Sequence, residues 1–248
     1  MVYNLVGVRH VLNPYPKKVK FNYMKLLVAA LISFSAALSA ATVPVFGTGY
    51  VAGGPGLGGV GTVDGNFSLI SCPAAEPCAS NGSGGYNAFI TLTGQYPFTV
   101  WTPNTGTGQW IGPALGGNEI TLDAPGVYEY QETFDLTGFD LSTVALSGSY
   151  ATDNSGYFEL NGVTVGSASS SFSSLTAISL TSGFNQGTNT LDFFVTNAPP
   201  GGGPQNPTGL FVELSGTGNL LAAPEPASIA FVGLGLVALG VLGSRRRS

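Results

Sequence analysis

Cationic side chains are missing from almost the whole of this 248-residue chain. All eight Lys and Arg residues lie before residue 26 or after residue 244, and the only histidine is His10. The thirteen acidic residues all lie between those limits, so the central part of the chain is strongly anionic. This pattern excludes a cationic surface for nucleic acid or phosphate there. It also excludes catalysis by a His base, a Lys Schiff base or an Arg clamp.

The N-terminal segment 1–41 has the parts of an export signal. Residues 24–41 combine a short basic start, an apolar run and an exit of small residues, which is typical of a secretory signal peptide. We expect cleavage near Ser39 to Ala41. Residues 1–23 are either an extended positively charged part of the signal peptide, or they precede the true start of translation at Met24. An uncleaved N-terminal membrane helix is the alternative interpretation.

The C-terminal segment has a second targeting pattern. Residues 227–243 carry no charge, and as a single transmembrane helix they would extend about 25 Å, the short end of what spans a bilayer. The triplet Arg245, Arg246 and Arg247 predicts a cytoplasmic end, which leaves the upstream chain outside the inner membrane. A plain tail anchor is one explanation of this segment.

A sharper explanation comes from the order of three features. Pro224, Glu225 and Pro226, then a short Gly-rich apolar segment, then terminal arginines resemble the PEP-CTERM sorting signal over residues 223–248. The two prolines keep the motif extended and outside the helix, where a protease can reach it. The resemblance implies export through the Sec translocon and processing near the motif by an exosortase, a membrane transpeptidase-like protease. It also implies a Gram-negative bacterium and, after processing, a place at the cell surface or in the exopolysaccharide matrix.

Residues 42–222 predict one all-β domain. Short runs of alternating apolar and polar residues lie between turn signals, and Asn161-Gly162 is a strong hairpin signal between two of them. This pattern predicts an antiparallel β-sandwich of the jelly-roll kind, with an irregular lead-in at 42–65, a solvated serine loop at 167–174 and a linker at 219–223. The predicted strands lie at 67–71, 86–93, 98–101, 119–122, 127–136, 144–150, 157–160, 163–165, 191–196 and 210–214.

Turn-and-strand patterns recur between about residues 127 and 218, at residues 134–138, 151–154, 159–162, 183–191 and 206–210. Together they resemble the galactose-binding-like β-sandwich ectodomains that are often found upstream of PEP-CTERM signals. The resemblance implies a structural calcium ion, which sandwiches of that type often carry.

Asp153 and Asn154 are the candidate calcium ligands, with Asp192, Glu159 and nearby carbonyl groups as further oxygen donors. An anionic domain without cations would gain from Ca²⁺, because binding would relieve self-repulsion. An Asp-Asn pair is also an ordinary turn sequence, and the spacing of a full calcium loop is absent. The sequence leaves both interpretations open.

Cys72 and Cys78 are the only cysteines. In a chain bound for an oxidising compartment, the pair predicts a local disulfide around a Pro-containing loop. Two thiolates without a histidine make an incomplete zinc shell, which disfavours a zinc site.

Glu132 falls on the aromatic face of its predicted strand, between Tyr130 and Phe134. A buried carboxylate there is costly, and the central part of the chain holds no cation to pair with it. Glu132 could lie at a sheet edge, bind calcium or titrate with a raised pKa. The favoured interpretation is a bulge or strand end that turns it to solvent.

Trp101 and Trp110 lie in turn-rich sequence, where exposed aromatic rings could form a platform for sugar rings. Aromatic residues of a sandwich are also frequent in its core.

The sequence therefore predicts an exported, non-enzymatic protein of the cell envelope or exopolysaccharide matrix that acts by adhesion or contact with polysaccharide. One alternative is a secreted carbohydrate-active enzyme with paired carboxylates, although a hydrolase signature is missing. The other is a structural protein of a surface layer.

Overall fold

The computed structural model describes residues 40–54, 56–120, 122–201, 205–221 and 233–236. The predicted signal peptide up to residue 39, the motif Pro224–Pro226 and the triplet Arg245–Arg247 lie outside the described residues, as does most of the apolar segment 227–243. Within the described ranges, we find no helix with the length and apolar character needed to cross a membrane.

The described domain consists of β-strands and one short 3₁₀ turn at Leu115–Gly117. The strands are β1 Ala40–Thr42, β2 Val63–Ser71, β3 Tyr86–Ile90, β4 Ile111–Gly112, β5 Gly126–Asp135, β6 Phe139–Asp153, β7 Ser155–Leu160, β8 Val163–Ser169, β9 Thr176–Leu180, β10 Thr188–Asn197 and β11 Gly209–Leu220.

Every pairing between these strands is antiparallel. The strand order is β8-β7-β10-β5-β2-β3-β4-β11-β6-β9, and β1 pairs with β11. The inward faces of the two halves of this path meet in one core. Tyr150 of β6 packs on Phe158 of β7 and Phe193 of β10, with ring centroids 5.4 and 5.6 Å apart. The architecture is thus an antiparallel β-sandwich of the jelly-roll kind, as predicted.

Period-two alternation separates the two faces of the long strands. On β10, Leu191, Phe193 and Val195 are fully buried, whereas Phe194 and Thr196 face outward. The hairpin between β7 and β8 forms at Asn161 and Gly162, with positive φ of 53° and 77°. Those angles suit a two-residue hairpin turn, which glycine and asparagine adopt at low steric cost.

Two predicted strands are wrong. Residues 98–101 form turns, in which Val100 and Trp101 donate to the carbonyl of Pro97. Residues 119 and 120 follow the 3₁₀ turn as irregular chain, and Leu122 forms an isolated bridge with Asn206. Trp101 packs into the domain from a turn, whereas Leu122 is 55% exposed, so hydrophobicity in these two segments did not indicate a strand.

Three other predicted boundaries also change. Asn219 and Leu220 belong to β11, where they pair with β6, and are not linker residues. Ser169 ends β8 and is buried, so only the later part of segment 167–174 is a loop. The irregular lead-in contributes core residues, because Val43 and Thr48 hydrogen-bond the backbone of β11.

Phe193→Ala tests the assignment of faces. Phe193 is fully buried against Phe67, Tyr150 and Phe158, so its truncation leaves a core cavity. We expect the free energy of unfolding, measured with urea, to fall by about 3–5 kcal/mol. The control is Phe194→Ala on the outer face, which loses about 1 kcal/mol or less because only a cross-strand pair is removed. Equal losses for the two variants would contradict the assigned faces.

Candidate functional site

Trp101 and Trp110 are core residues, and the expectation that they form an exposed platform is corrected. Their rings stack on each other with centroids 4.1 Å apart and are 3% and 0% exposed. Trp101 Nε1 donates to Asp153 Oδ2, and Trp110 Nε1 donates to the carbonyl of Thr102, both at 2.8 Å. The turn-rich sequence around both tryptophans therefore folds inward, and a sugar ring cannot reach them.

Asp153 and Asn154 lie together at the end of β6, but Asp153 is buried. Its Oδ1 accepts from Asn154 Nδ2 at 2.8 Å, so both of its oxygens already bind protein donors. Burial raises the pKa of Asp153 to about 6, although its bond from Trp101 opposes the shift. Asp192 binds Gln131 on the outer face instead. Among the described residues, no group of three or more acidic, histidine or cysteine side chains is arranged to hold a metal ion. A structural Ca²⁺ stays a prediction.

The predicted disulfide between Cys72 and Cys78 is confirmed. It closes a loop that contains Glu76, whose Oε2 accepts from the backbone N–H of Ala124 at 2.6 Å and from the Tyr128 hydroxyl at 3.2 Å. The disulfide thus supports a loop that is tied to the start of β5.

Glu132 is buried, and the interpretation that it turns to solvent is wrong. It is 1% exposed, and its Oε1 accepts from the backbone N–H of Phe46 at 2.7 Å. Its Oε2 has no hydrogen-bond partner within the described ranges. Burial raises the pKa of Glu132 well above its usual range, and residues 26–244 hold no cationic side chain to offset the loss of solvent. The raised pKa was one of the alternatives that the sequence left open.

Glu132 is one of several carboxyl groups buried without a cation. Burial also raises the pKa of Glu119, whose Oε1 accepts from the backbone N–H of Ala114, and repulsion from Asp123 adds to the shift. Burial raises the pKa of Asp123 to about 6. The buried acidic residues of the described domain are Asp64, Glu119, Asp123, Glu132, Asp153 and Asp192.

The outer face of β5, β7 and β10 carries the aromatic pair that the sequence analysis missed. Tyr157 of β7 and Phe194 of β10 are cross-strand neighbours, and their rings stack with centroids 4.8 Å apart and planes 14° from parallel. Tyr157 is 39% exposed and Phe194 is half-buried, so ring surface stays open to solvent. Only the pairing of β7 with β10 brings the two rings together, and one sequence does not reveal that strand order.

A row of polar side chains lies beside this aromatic pair on the same face. Asp192 of β10 stands between Glu159 of β7 and Gln131 of β5. Gln131 Nε2 and the Thr190 hydroxyl donate to Asp192 at 2.7 and 3.0 Å. Two neutral donors therefore hold the Asp192 carboxylate in position within this row.

Glu129 of β5 is the cross-strand neighbour of Phe194 on the side opposite Tyr157. Burial raises the pKa of Glu129, and repulsion from Asp192 and Glu159 adds to the shift. Aromatic rings flanked by carboxyl and amide groups can contact a ligand that has both apolar and hydroxyl surface. We call Tyr157, Phe194, Glu129, Asp192, Glu159 and Gln131 the outer-face site.

A cavity of about 620 Å³ adjoins the outer-face site. Gln131 and Thr133 of β5 and Ser68 of β2 line one side, and the loop around Asn81 lines another. Ser68 and Gln131 are cross-strand neighbours, so the cavity and the site share the side chain of Gln131.

No protein-family model matches the sequence, and no curated protein matches it at a significant level. Solved structures similar to the chain include carbohydrate-binding modules. A module of family 29 is 12% identical with a TM-score of 0.29, covering 62% of this chain and 91% of the module. A family 29 module complexed with mannohexaose is 12% identical with a TM-score of 0.27, covering 62% and 91%. The CBM36-1 domain of a multidomain xylanase from the hindgut metagenome of Trinervitermes trinervoides is 14% identical with a TM-score of 0.24, covering 64% and 100%. TM-scores this low support no inference about function.

The buried carboxyls predict a protein that is more stable in mild acid than at neutral pH. Burial raises the pKa values of Asp64, Glu119, Asp123, Glu132 and Asp153 above those of the unfolded chain. The stabilising contribution of these five carboxyls is therefore fully present below about pH 4 and is lost as pH rises. The loss extends to about pH 6 for Asp123 and Asp153 and further for Glu119 and Glu132. Urea unfolding between pH 4 and 8 should show this fall, up to about 1.4 kcal/mol per pH unit for each such carboxyl.

Glu132→Gln isolates one of these groups. The amide keeps an acceptor for Phe46, so the free energy of unfolding should rise by about 1–3 kcal/mol at pH 8 and change little at pH 4. The control is Glu213→Gln. Burial acts to raise the pKa of Glu213, but hydrogen bonds from neighbouring hydroxyls hold it below its ordinary value, so this variant should not be stabilised at pH 8. A Glu132→Gln variant that is less stable than the wild type at pH 8 would contradict the inference that the buried Glu132 carboxylate destabilises the folded protein.

Proposed function

We propose that the protein is a non-enzymatic glycan-binding protein and that the outer-face site is where it contacts polysaccharide. The observation that carries the proposal is the stacked Tyr157–Phe194 pair, exposed on a sheet face beside ordered carboxyl and amide groups. Sugar rings have apolar C–H faces and hydroxyl edges, so they need both kinds of surface in one place.

The geometry of the face suits an extended ligand. Four neighbouring strands, in the order β7-β10-β5-β2, present the site and the adjoining cavity on one surface. At about 4.8 Å between strands, this surface is about 14 Å across. The carboxylate of Asp192 is held by Gln131 and Thr190, so binding does not have to order it.

The charge of the face favours an uncharged polysaccharide. Residues 26–244 contain no Lys, Arg or His, so no cationic side chain of that range can pair with a carboxylate or sulfate group of a ligand. Glu129, Glu159 and Asp192 would repel such groups.

Tyr157→Ala and Phe194→Ala test the proposal. Either change removes half of the aromatic pair, so we expect the affinity for the bound polysaccharide to fall at least tenfold, which corresponds to about 1.4 kcal/mol. The measurement is affinity gel electrophoresis against soluble neutral glucans, mannans, xylans and galactans.

Two control variants separate stacking from other effects. Tyr157→Phe keeps the ring and should retain most of the affinity. Val163→Ala changes a residue that is 64% exposed on β8, and it should bind like the wild type. The outer-face site is ruled out if none of these polysaccharides retards the wild-type protein. It is also ruled out if each polysaccharide retards the Tyr157→Ala variant as strongly as it retards the wild type.

A second candidate function is glycoside hydrolysis, because Glu129 combines a raised pKa with two neighbouring carboxyl groups. A raised carboxyl pKa is what a general acid needs. Release of reducing sugars that Glu129→Gln abolishes, with binding retained, would favour the enzyme over the binding protein.

We also propose that the protein is exported and sorted to the cell surface, anchored in the inner membrane before processing by an exosortase. Support comes from the signal-peptide pattern at 24–41, the Pro224–Pro226 motif and the arginine triplet. The disulfide between Cys72 and Cys78 agrees with an oxidising compartment.

Replacing Pro224, Glu225 and Pro226 together with alanine tests sorting. We expect intact mass spectrometry of wild-type protein from the native host to show a species that starts near residue 41 and ends near Pro224. The variant should instead retain residues 227–248 and remain in membranes. Pro199→Ala with Pro200→Ala, in the loop before β11, is the control and should be processed normally. Wild-type protein that retains its C-terminal segment would contradict sorting by this motif.

A further inference from the structure

The cavity beside the outer-face site has hydrogen-bonding groups that the fold does not use. Within the described ranges, the hydroxyls of Ser68 and Thr133 make no hydrogen bond. Asn81 uses its Oδ1 to hold its own loop through the backbone N–H groups of Ser83 and Gly85, and its Nδ2 makes no hydrogen bond to any described residue. Gln131 donates through Nε2 to Asp192, and its Oε1 likewise has no partner in the described part of the chain.

These unused groups include both hydrogen-bond donors and acceptors. Asn81 Nδ2 donates, Gln131 Oε1 accepts, and the two hydroxyls can do either. A ligand hydroxyl also does both at once, so adjacent hydroxyl groups match this set better than a carboxylate or an ammonium group would.

Apolar surface completes the cavity wall. Phe46, Pro44 and Ile70 border the same space. At about 30 Å³ for each water, the volume holds about twenty water molecules, which is room for one sugar ring with part of its hydration. Pockets of this size are typical of small-ligand sites.

The charges around the cavity also favour a neutral ligand. Of the described residues in its lining, Glu132 alone is acidic, and its Oε1 accepts from the Phe46 N–H. Burial raises the pKa of Glu132, which disfavours a negative charge that could hold a cation. The described lining residues include no Lys, Arg or His that could hold an anion.

We propose that this cavity binds a single neutral sugar unit, the chain end or a side branch of the glycan that crosses Tyr157 and Phe194. The connection to a longer chain rests on the proposed function of the outer-face site. The cavity itself is a separate site, and Gln131 joins the two because it lines the cavity and binds Asp192.

Ser68→Phe tests this proposal by filling the cavity. Ser179→Phe is the matched control, because it places the same ring on an exposed strand position of β9. The probes are glucose, mannose and galactose at millimolar concentration, with glucuronate as the charged counterpart. The measurement is the NMR shift of the side-chain amide signals of Asn81 and Gln131, with far-ultraviolet circular dichroism to confirm folding.

We expect at least one neutral sugar to shift both amide signals in the wild type and in Ser179→Phe, and glucuronate to shift neither. The affinity should fall at least tenfold in Ser68→Phe. Should Ser68→Phe fail to fold, Thr133→Val keeps the side-chain shape and should weaken binding several-fold. The proposal is overturned if no neutral sugar shifts these signals or if filling the cavity leaves binding unchanged. Failure of the outer-face site is recognised separately, because the affinity of the Tyr157→Ala variant for polysaccharide in gel electrophoresis tests that site alone.

Discussion

Buried carboxyl groups that accept hydrogen bonds from neutral donors hold the irregular segments of the described domain to its strands. Residues 26–244 contain no Lys, Arg or His, so the donors that these acids find within that range are neutral. Asp64 accepts from the backbone N–H groups of Gly49, Asn66 and Phe67, which ties the lead-in turn to β2. Glu132 holds the lead-in to β5 through Phe46 in the same way. Carboxyl-to-amide bonds therefore fasten the irregular segments around the sandwich, where many proteins use ion pairs.

The same constraint shapes the outer-face site. Asp192 is positioned by an amide and a hydroxyl, and the groups that remain free are carboxyl oxygens, amides and hydroxyls. Under the proposed function, a surface of this composition selects its ligand by hydrogen-bond pattern and by apolar contact with Tyr157 and Phe194, and its carboxyl groups repel anions. Fold and proposed function thus follow from one property of the sequence.

Alternation along each strand was enough to predict the sandwich. The period-two spacing of residues such as Leu191, Phe193 and Val195 predicts a buried face without any knowledge of the neighbouring strands. Loop residues could not be placed in this way. Trp101 is buried because it reaches Asp153, and that contact joins segments far apart in the chain. Tyr157 and Phe194 meet only through the pairing of β7 with β10, which depends on the order of the whole sheet. The site was therefore outside what local pattern could predict.

The most direct test of the account compares ligands that differ only in charge. Isothermal titration calorimetry would measure the binding of wild-type protein to a set of neutral polysaccharides and to the carboxylated form of each at pH 7. The account predicts binding of at least one neutral polymer and at least tenfold weaker binding of its carboxylated form, because the face has carboxyl groups and no cation. Equal or tighter binding of the carboxylated form would contradict it.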